Sequence, residues 1–210
     1  MRVCFGLKAH CGWSALVVLG TLEGEPRVVD RRRVELVDPD DARWTRQPYH
    51  AADGLEADEA REVVERGVES ARRIAVRELQ EQLQRSQRAG HAVAGCAVLV
   101  PEPMPDWSID QILAVHVRMH KAEGVLFPDA LARAAQSCGV PLLLIREKLL
   151  GEHAQKALDA TASQLADAVA ALGRSIGPPW GKDQKNAALA ALVALMASPP
   201  GARALTSVPK

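Results

Sequence analysis

The stretch from Arg2 to Asp38 constrains this chain most, because it reads as three consecutive β-strands joined by tight connections. Val3, Phe5 and Leu7 alternate with Cys4, Gly6 and Lys8, the period of two that marks a strand. His10-Cys11-Gly12 makes a short turn. Trp13 to Leu19 is a near-continuous apolar run, the pattern of a strand covered on both faces. Gly20 to Glu25, followed by Pro26, makes the next turn, and Arg27 to Val37 is a third, more polar strand. Two connections this short predict an antiparallel meander.

Asp38 to Gly54 is a loop holding Trp44, Pro48, Tyr49 and His50, longer than a plain connection requires; it reads as a pinned surface loop, a lid or a partner surface. Leu55 to Arg88 is a long helix. Val64, Val68, Ala71, Ala75, Leu79 and Leu83 form its apolar stripe, and charged pairs such as Glu62–Arg66 cover the rest. Such a helix is about 50 Å long, enough to protrude or to pair with a second copy. His91 to Val100 is the fourth strand, stopped by Pro101-Glu102-Pro103-Met104-Pro105. Ser108 and Gln111 form a capping box for the next helix, which Gly124 and Pro128 are expected to kink or break. Pro141 to Ile145 is a short fifth strand expected to be buried on both faces. Leu149 to Gly173 is a further helix, and Lys182 to Ala197 a last one, apolar all round and therefore buried. Ser198 to Lys210 reads as a flexible tail beyond one domain over 1–197.

The balance of charge limits the partners. Lys plus Arg and Asp plus Glu number 26 each, so the net charge is zero, which argues against a sequence-blind electrostatic nucleic-acid binder but leaves room for a local basic patch. Aromatic residues make up only 3%, and the abundant Ala and Val suit close packing of helix on sheet. The four scattered cysteines read as thiols of a reducing, cytoplasmic setting. No apolar run approaches the roughly 20 residues of a membrane helix, and no signal peptide is apparent at the N-terminus.

The element order, three antiparallel strands, helix, strand, helix, strand and further helices, is that of the RNase H-like fold, a mixed five-stranded sheet flanked by helices. Over about residues 3 to 197 the chain resembles RuvC-type Holliday-junction resolvases. Those open with a pattern like G-[IV]-D-P-G, then a turn and T-G-W-A-V-V; the counterpart here is Gly6-Leu7-Lys8-Ala9-His10-Cys11-Gly12-Trp13-Ser14-Ala15-Leu16-Val17-Val18. Their last helix opens with a pattern like D-A-A-D-A-L-A-I-A, and Asp183-Gln184-Lys185-Asn186-Ala187-Ala188-Leu189-Ala190-Ala191 is similar. The resemblance implies two-metal phosphodiester cleavage with Mg²⁺ or Mn²⁺, held by carboxylates of the first strand, the fourth strand and the last helix. The pattern departs at the acids. Leu7 is taken as the first-strand position, Lys8 beside it is cationic, and Asn186 replaces an acid. Glu102 and Asp183 remain as catalytic and metal-binding candidates, which implies a degenerate or atypical nuclease site.

Lys8, His10, Glu102, Lys182, Asp183 and Lys185 are expected to converge on one edge of the sheet, where the lysines beside a helix N-terminus favour phosphate. His116 and His120 lie at i, i+4 with Glu123 a turn further, a spacing that suits metal ligation, although no HExxH pattern is present. The same residues also fit a hydrogen-bonded structural role. Arg31-Arg32-Arg33 is the one basic run, with Arg31 and Arg33 on one strand face and Arg32 on the other. Three functions fit these residues: a protein that binds DNA or RNA on a degenerate nuclease scaffold, a non-catalytic protein that forms a homo-oligomer through its long helix, and an enzyme for a small anionic substrate.

Overall fold

A computed structural model describes residues 1–197, the side chains of Ala42 and Arg43 excepted; the tail expected over 198–210 lies outside the described residues. β1 (Arg2–His10) and β2 (Trp13–Leu22) are joined by Cys11-Gly12, where Gly12 takes φ +83°, a conformation that costs glycine little. They pair antiparallel from Val3↔Gly20 to His10↔Trp13. Glu23 and Gly24, both left-handed, turn the chain into β3 (Glu25–Glu35), as the two-residue hairpin turn with two positive φ values requires. β4 (Ala92–Val100) then lies parallel to β1, and β5 (Leu142–Arg146) parallel to β4. The strand order is β3-β2-β1-β4-β5, with β1 in the centre. This is the mixed five-stranded sheet that the element order predicts, three antiparallel strands followed by two parallel ones.

The strand period sorts the core into two layers. Val3, Phe5, Leu7 and Ala9 of β1, with Leu16 and Val18 of β2, pack against α3 (Ala57–Arg88) and α5 (His116–Ser137). Cys4 of β1, with Val17 and Leu19 of β2, faces α6 (Leu150–Leu158), α7 (Ala162–Ile176) and α8 (Lys182–Ala197). The apolar stripe of α3 is buried from Ala60 to Leu79 against the sheet and α5, so the chain itself covers it. Among the described residues no helix is long and apolar enough to cross a membrane.

α8 lies closer to the sheet than any bulkier helix could. An ideal Cβ on Gly6 would stand 1.8 Å from the Ala187 carbonyl oxygen, so backbone meets backbone there. Ala187, Ala188, Ala190 and Ala191 are fully buried around this contact. Direction is fixed at both ends. Asp183 meets His10 at the carboxyl end of β1, and the Arg2 guanidinium donates to the Leu195 carbonyl at its start, 3.0 Å away. α8 therefore runs antiparallel to β1.

Several sequence expectations are corrected. The 38–54 loop contains two short helices, α1 (Ala42–Thr45) and α2 (Pro48–Ala51). The helix that Ser108 caps, α4 (Ile109–Leu113), ends at once; Val115 is extended, and α5 runs through Pro128 unbroken. The acceptor that Pro128 abandons belongs to exposed Gly124, where water can take its place. The helix expected over 149–173 divides into α6 and α7 because Asp159 is left-handed and Thr161 caps a new helix with Gln164. β5 is an edge strand, not one covered on both faces: Leu144 is half exposed.

Gly6→Ala should cost about 3 kcal/mol or more, above the usual range for overpacking, because the obstacle is a backbone carbonyl that cannot rotate away. Urea unfolding of the variant beside the native chain measures this directly.

Candidate functional site

Seating α8 on β1 decides which residues meet at the carboxyl end of that strand. Gly6, Lys8 and His10 share the α8 face by strand alternation. Leu7 points the other way, into the layer under α3 and α5, and is 2% exposed. The residue standing on the site-facing position is thus Lys8 and not Leu7, which corrects the position assigned from sequence. An ammonium occupies the place considered for a first-strand acid.

Lys8 Nζ lies 2.5 Å from Glu147 Oε2. Glu147 opens a single 3₁₀ turn, Glu147–Leu149, directly after β5. His10 Nε2 stands 3.0 Å from Asp183 Oδ1 in the first turn of α8, a close contact without hydrogen-bond alignment. The His10 ring stacks on Trp13 with centroids 4.5 Å apart and planes 16° from parallel. The Arg33 guanidinium stands 3.9 Å from the Trp13 ring centroid, while its Nε donates to Glu35. Glu102 pairs with Arg146 at 3.6 Å, both half exposed. The sheet register explains that pair: Val100 lies opposite Arg146, so the residues leaving β4 pass beside the end of β5. Lys182 and Lys185 stand exposed on either side of Asp183.

The basic run on β3 has separate tasks. Arg31 donates to the carbonyls of Gly177, Pro178 and Pro179, tying down the segment that leads into α8. Arg32 pairs with Asp30 at 2.6 Å. Trp180 Nε1 donates to the Val169 carbonyl, and its ring fills the space that a side chain on Gly173 would take. The start of α8, and with it Asp183, is held from both flanks.

A second constellation lies at the same end of the sheet on the α5 side. His50 of α2 comes against His116 and His120 of α5, with ring centroids 5.3 and 4.7 Å away, and His116 Nε2 lies 3.1 Å from His120 Nε2. Glu123 stands behind His50. Its Oε1 accepts from the backbone N–H of Tyr49 at 2.8 Å and of His50 at 3.2 Å, with His50 Nδ1 at 3.4 Å. Burial pushes the Glu123 carboxyl up to about 7, although those two backbone donors pull it down. Burial, then the charges of His120 and His116, lowers His50. Cys11, on the β1–β2 turn, is raised first by burial and then by the Glu123 charge.

The sequence-derived candidates thus divide. Lys8, His10, Asp183, Lys182 and Lys185 gather at the α8 end, whereas Glu102 is paired outward with Arg146. His116 and His120 are joined by His50, and Glu123 supports His50 from behind. Sequence reasoning missed Glu147 and His50. Glu147 follows an apolar strand as Glu102 does, which is a readable signal; His50 sits in a loop whose path no periodicity reveals.

The Lys8–Glu147 pair predicts an asymmetry. The Lys8 side chain is 14% exposed and that of Glu147 is 35% exposed. Removing Glu147 strands the more buried charge, so Glu147→Ala should destabilise more than Lys8→Met, whose cost should stay near 1 kcal/mol because water reaches the remaining carboxylate. Thermal unfolding of both variants checks the order.

No protein-family model and no curated protein sequence matches the chain. Among solved structures it is similar to Thermus thermophilus RuvC in complex with a Holliday junction substrate, at 16% identity over 92% of each chain and a TM-score of 0.46. It is also similar to a second structure of Thermus thermophilus RuvC, at 16% identity over 91% of this chain and 92% of that one, with a TM-score of 0.44.

Proposed function

We propose that this protein is nucleic-acid-associated: it holds a DNA or RNA strand at the carboxyl end of β1 and does not cut it by two-metal chemistry. The observation that supports this most is the pairing of Glu147 with the Lys8 ammonium there, while Glu102 is drawn outward to Arg146 and Asp183 lies beside His10. Two divalent ions need several carboxylates free to ligate them. An ammonium at hydrogen-bond distance already satisfies the charge of Glu147.

What the edge offers instead is suited to binding. Trp13 is stacked between the His10 imidazole and the Arg33 guanidinium, so the half-exposed outer face of that guanidinium is the surface on which a base can stack. Lys182 and Lys185 stand exposed at the start of α8, where backbone N–H groups and the helix dipole also favour phosphate. The zero net charge makes this a local patch on a neutral surface. A nucleic acid is preferred over a small anion by analogy with the fold alone.

The test is binding and cleavage of labelled single-stranded, double-stranded and four-way-junction DNA, and of RNA, with Mg²⁺ or Mn²⁺. Binding should weaken with salt, and Arg33→Ala should weaken it further by about 1–3 kcal/mol, the worth of one stacked base. No cleavage should accompany it. Metal-dependent cleavage that disappears in Asp183→Asn would overturn the non-cutting assignment. Absence of binding to every substrate would overturn the nucleic-acid assignment itself.

A further inference from the structure

Three imidazoles from two separate segments meet at the α5 side of the sheet, and nothing in the nucleic-acid reading uses them. We propose that His50, His116 and His120 form a binding site for a zinc-class divalent cation, with Glu123 as the carboxylate that orients His50.

The donor set comes first. Each histidine offers one ligand atom, and those atoms all lie within 4.8 Å of one another. Among the described residues this is the group of three or more histidine, cysteine or acidic side chains that could share an ion. His116 Nε2 and His120 Nε2 are 3.1 Å apart, close to the about 3.3 Å between two nitrogens of a tetrahedral site with Zn–N bonds of 2.0–2.1 Å. Both rings are exposed, and bringing all three nitrogens to bonding distance takes shifts on the order of 1 Å.

The support of His50 comes second. Its Nε2 is buried and makes no hydrogen bond. An unpartnered polar atom in that position is costly unless something ligates it. Its Nδ1 faces Glu123 Oε1, and the backbone N–H groups of Tyr49 and His50 hold the same oxygen. A carboxylate behind Nδ1 keeps the proton there and leaves the Nε2 lone pair outward. That is the carboxylate–histidine–metal arrangement by which proteins aim a ligand. The Glu123 contact also explains why the 38–54 segment is long: it must carry α2 across to α5.

The chemistry of the donors selects the ion. Imidazole nitrogen suits zinc, copper, nickel and iron, while Mg²⁺ prefers hard oxygen. Three protein ligands leave one coordination position for water or a ligand. Because His116 and His120 are exposed, that position faces solvent. The site is therefore separate in place and in metal preference from the paired acids beside α8.

The experiment is a Zn²⁺ titration of the full, tag-free chain after chelator dialysis, followed by calorimetry and by competition with a chromogenic chelator. Co²⁺ in place of Zn²⁺ reports coordination through its visible absorption. The expected result is one ion per chain, the spectrum of a four-coordinate site, and loss of both in His116→Ala and His120→Ala. Those two residues lie on the surface, so circular dichroism should show the fold unchanged. Glu123→Gln should weaken binding by about 10–100-fold, the usual effect of removing such a support. No stoichiometric binding, or binding of equal strength in His116→Ala, His120→Ala and His50→Ala, would overturn the proposal. Mg²⁺ competing as well as Zn²⁺ would overturn it too.

Discussion

The close approach of α8 to β1 is the contact on which the rest of this structure depends. Gly6 has no side chain, and Ala187 meets it with a backbone carbonyl. Small residues at both surfaces let a helix and a central strand touch along their length, gaining dispersion contacts that larger side chains would prevent. One consequence is geometric. With α8 antiparallel to β1 and seated at Gly6, Asp183 is carried to His10, and Arg2 is carried to Leu195. The candidate edge is thus a by-product of packing. Its residues lie far apart in sequence, and one backbone contact decides that they meet.

The fold was legible because its signals are local and periodic. Alternation marked β1, the unbroken apolar run marked β2, and the all-apolar alanine-rich stretch marked α8 as buried. The boundaries that failed were those where a local rule met a competing local circumstance. Pro128 suggested a break, but its missing donor faces the carbonyl of an exposed glycine. The break came instead after Leu113, where the Arg118 guanidinium donates to the Gln111 carbonyl and lies over the Trp107 ring. The capping box at Thr161 was present in the sequence as Thr-x-x-Gln and could have divided α6 from α7.

The site was legible only in part, for a different reason. Alternation places Lys8 with Gly6 and His10, so Leu7 could have been assigned to the core from period two alone. The partner of Lys8 could not, since Glu147 is 139 residues away and reaches it only through the parallel register of β4 and β5. Likewise His116 and His120 announced themselves by helical spacing, whereas His50 depended on how a 17-residue loop folds. Long-range coincidence of this kind has no periodic trace.

The two constellations at the end of β1 resolve the cost of buried polarity in opposite ways. Beside α8 Glu147 has the Lys8 ammonium against it, so that charge is neutralised within the chain. On the α5 side Glu123 is buried with only backbone N–H groups and an imidazole as donors, and its second oxygen has no partner. Burying a carboxylate so incompletely paired costs several kcal/mol in principle, about the range that structures avoid unless the group has a use. A cation bound beyond His50 would lower that cost through the ring that joins them. Beside α8 the Lys8–Glu147 pair answers its own charge, whereas His50 and Glu123 each keep a buried polar atom without a hydrogen-bond partner.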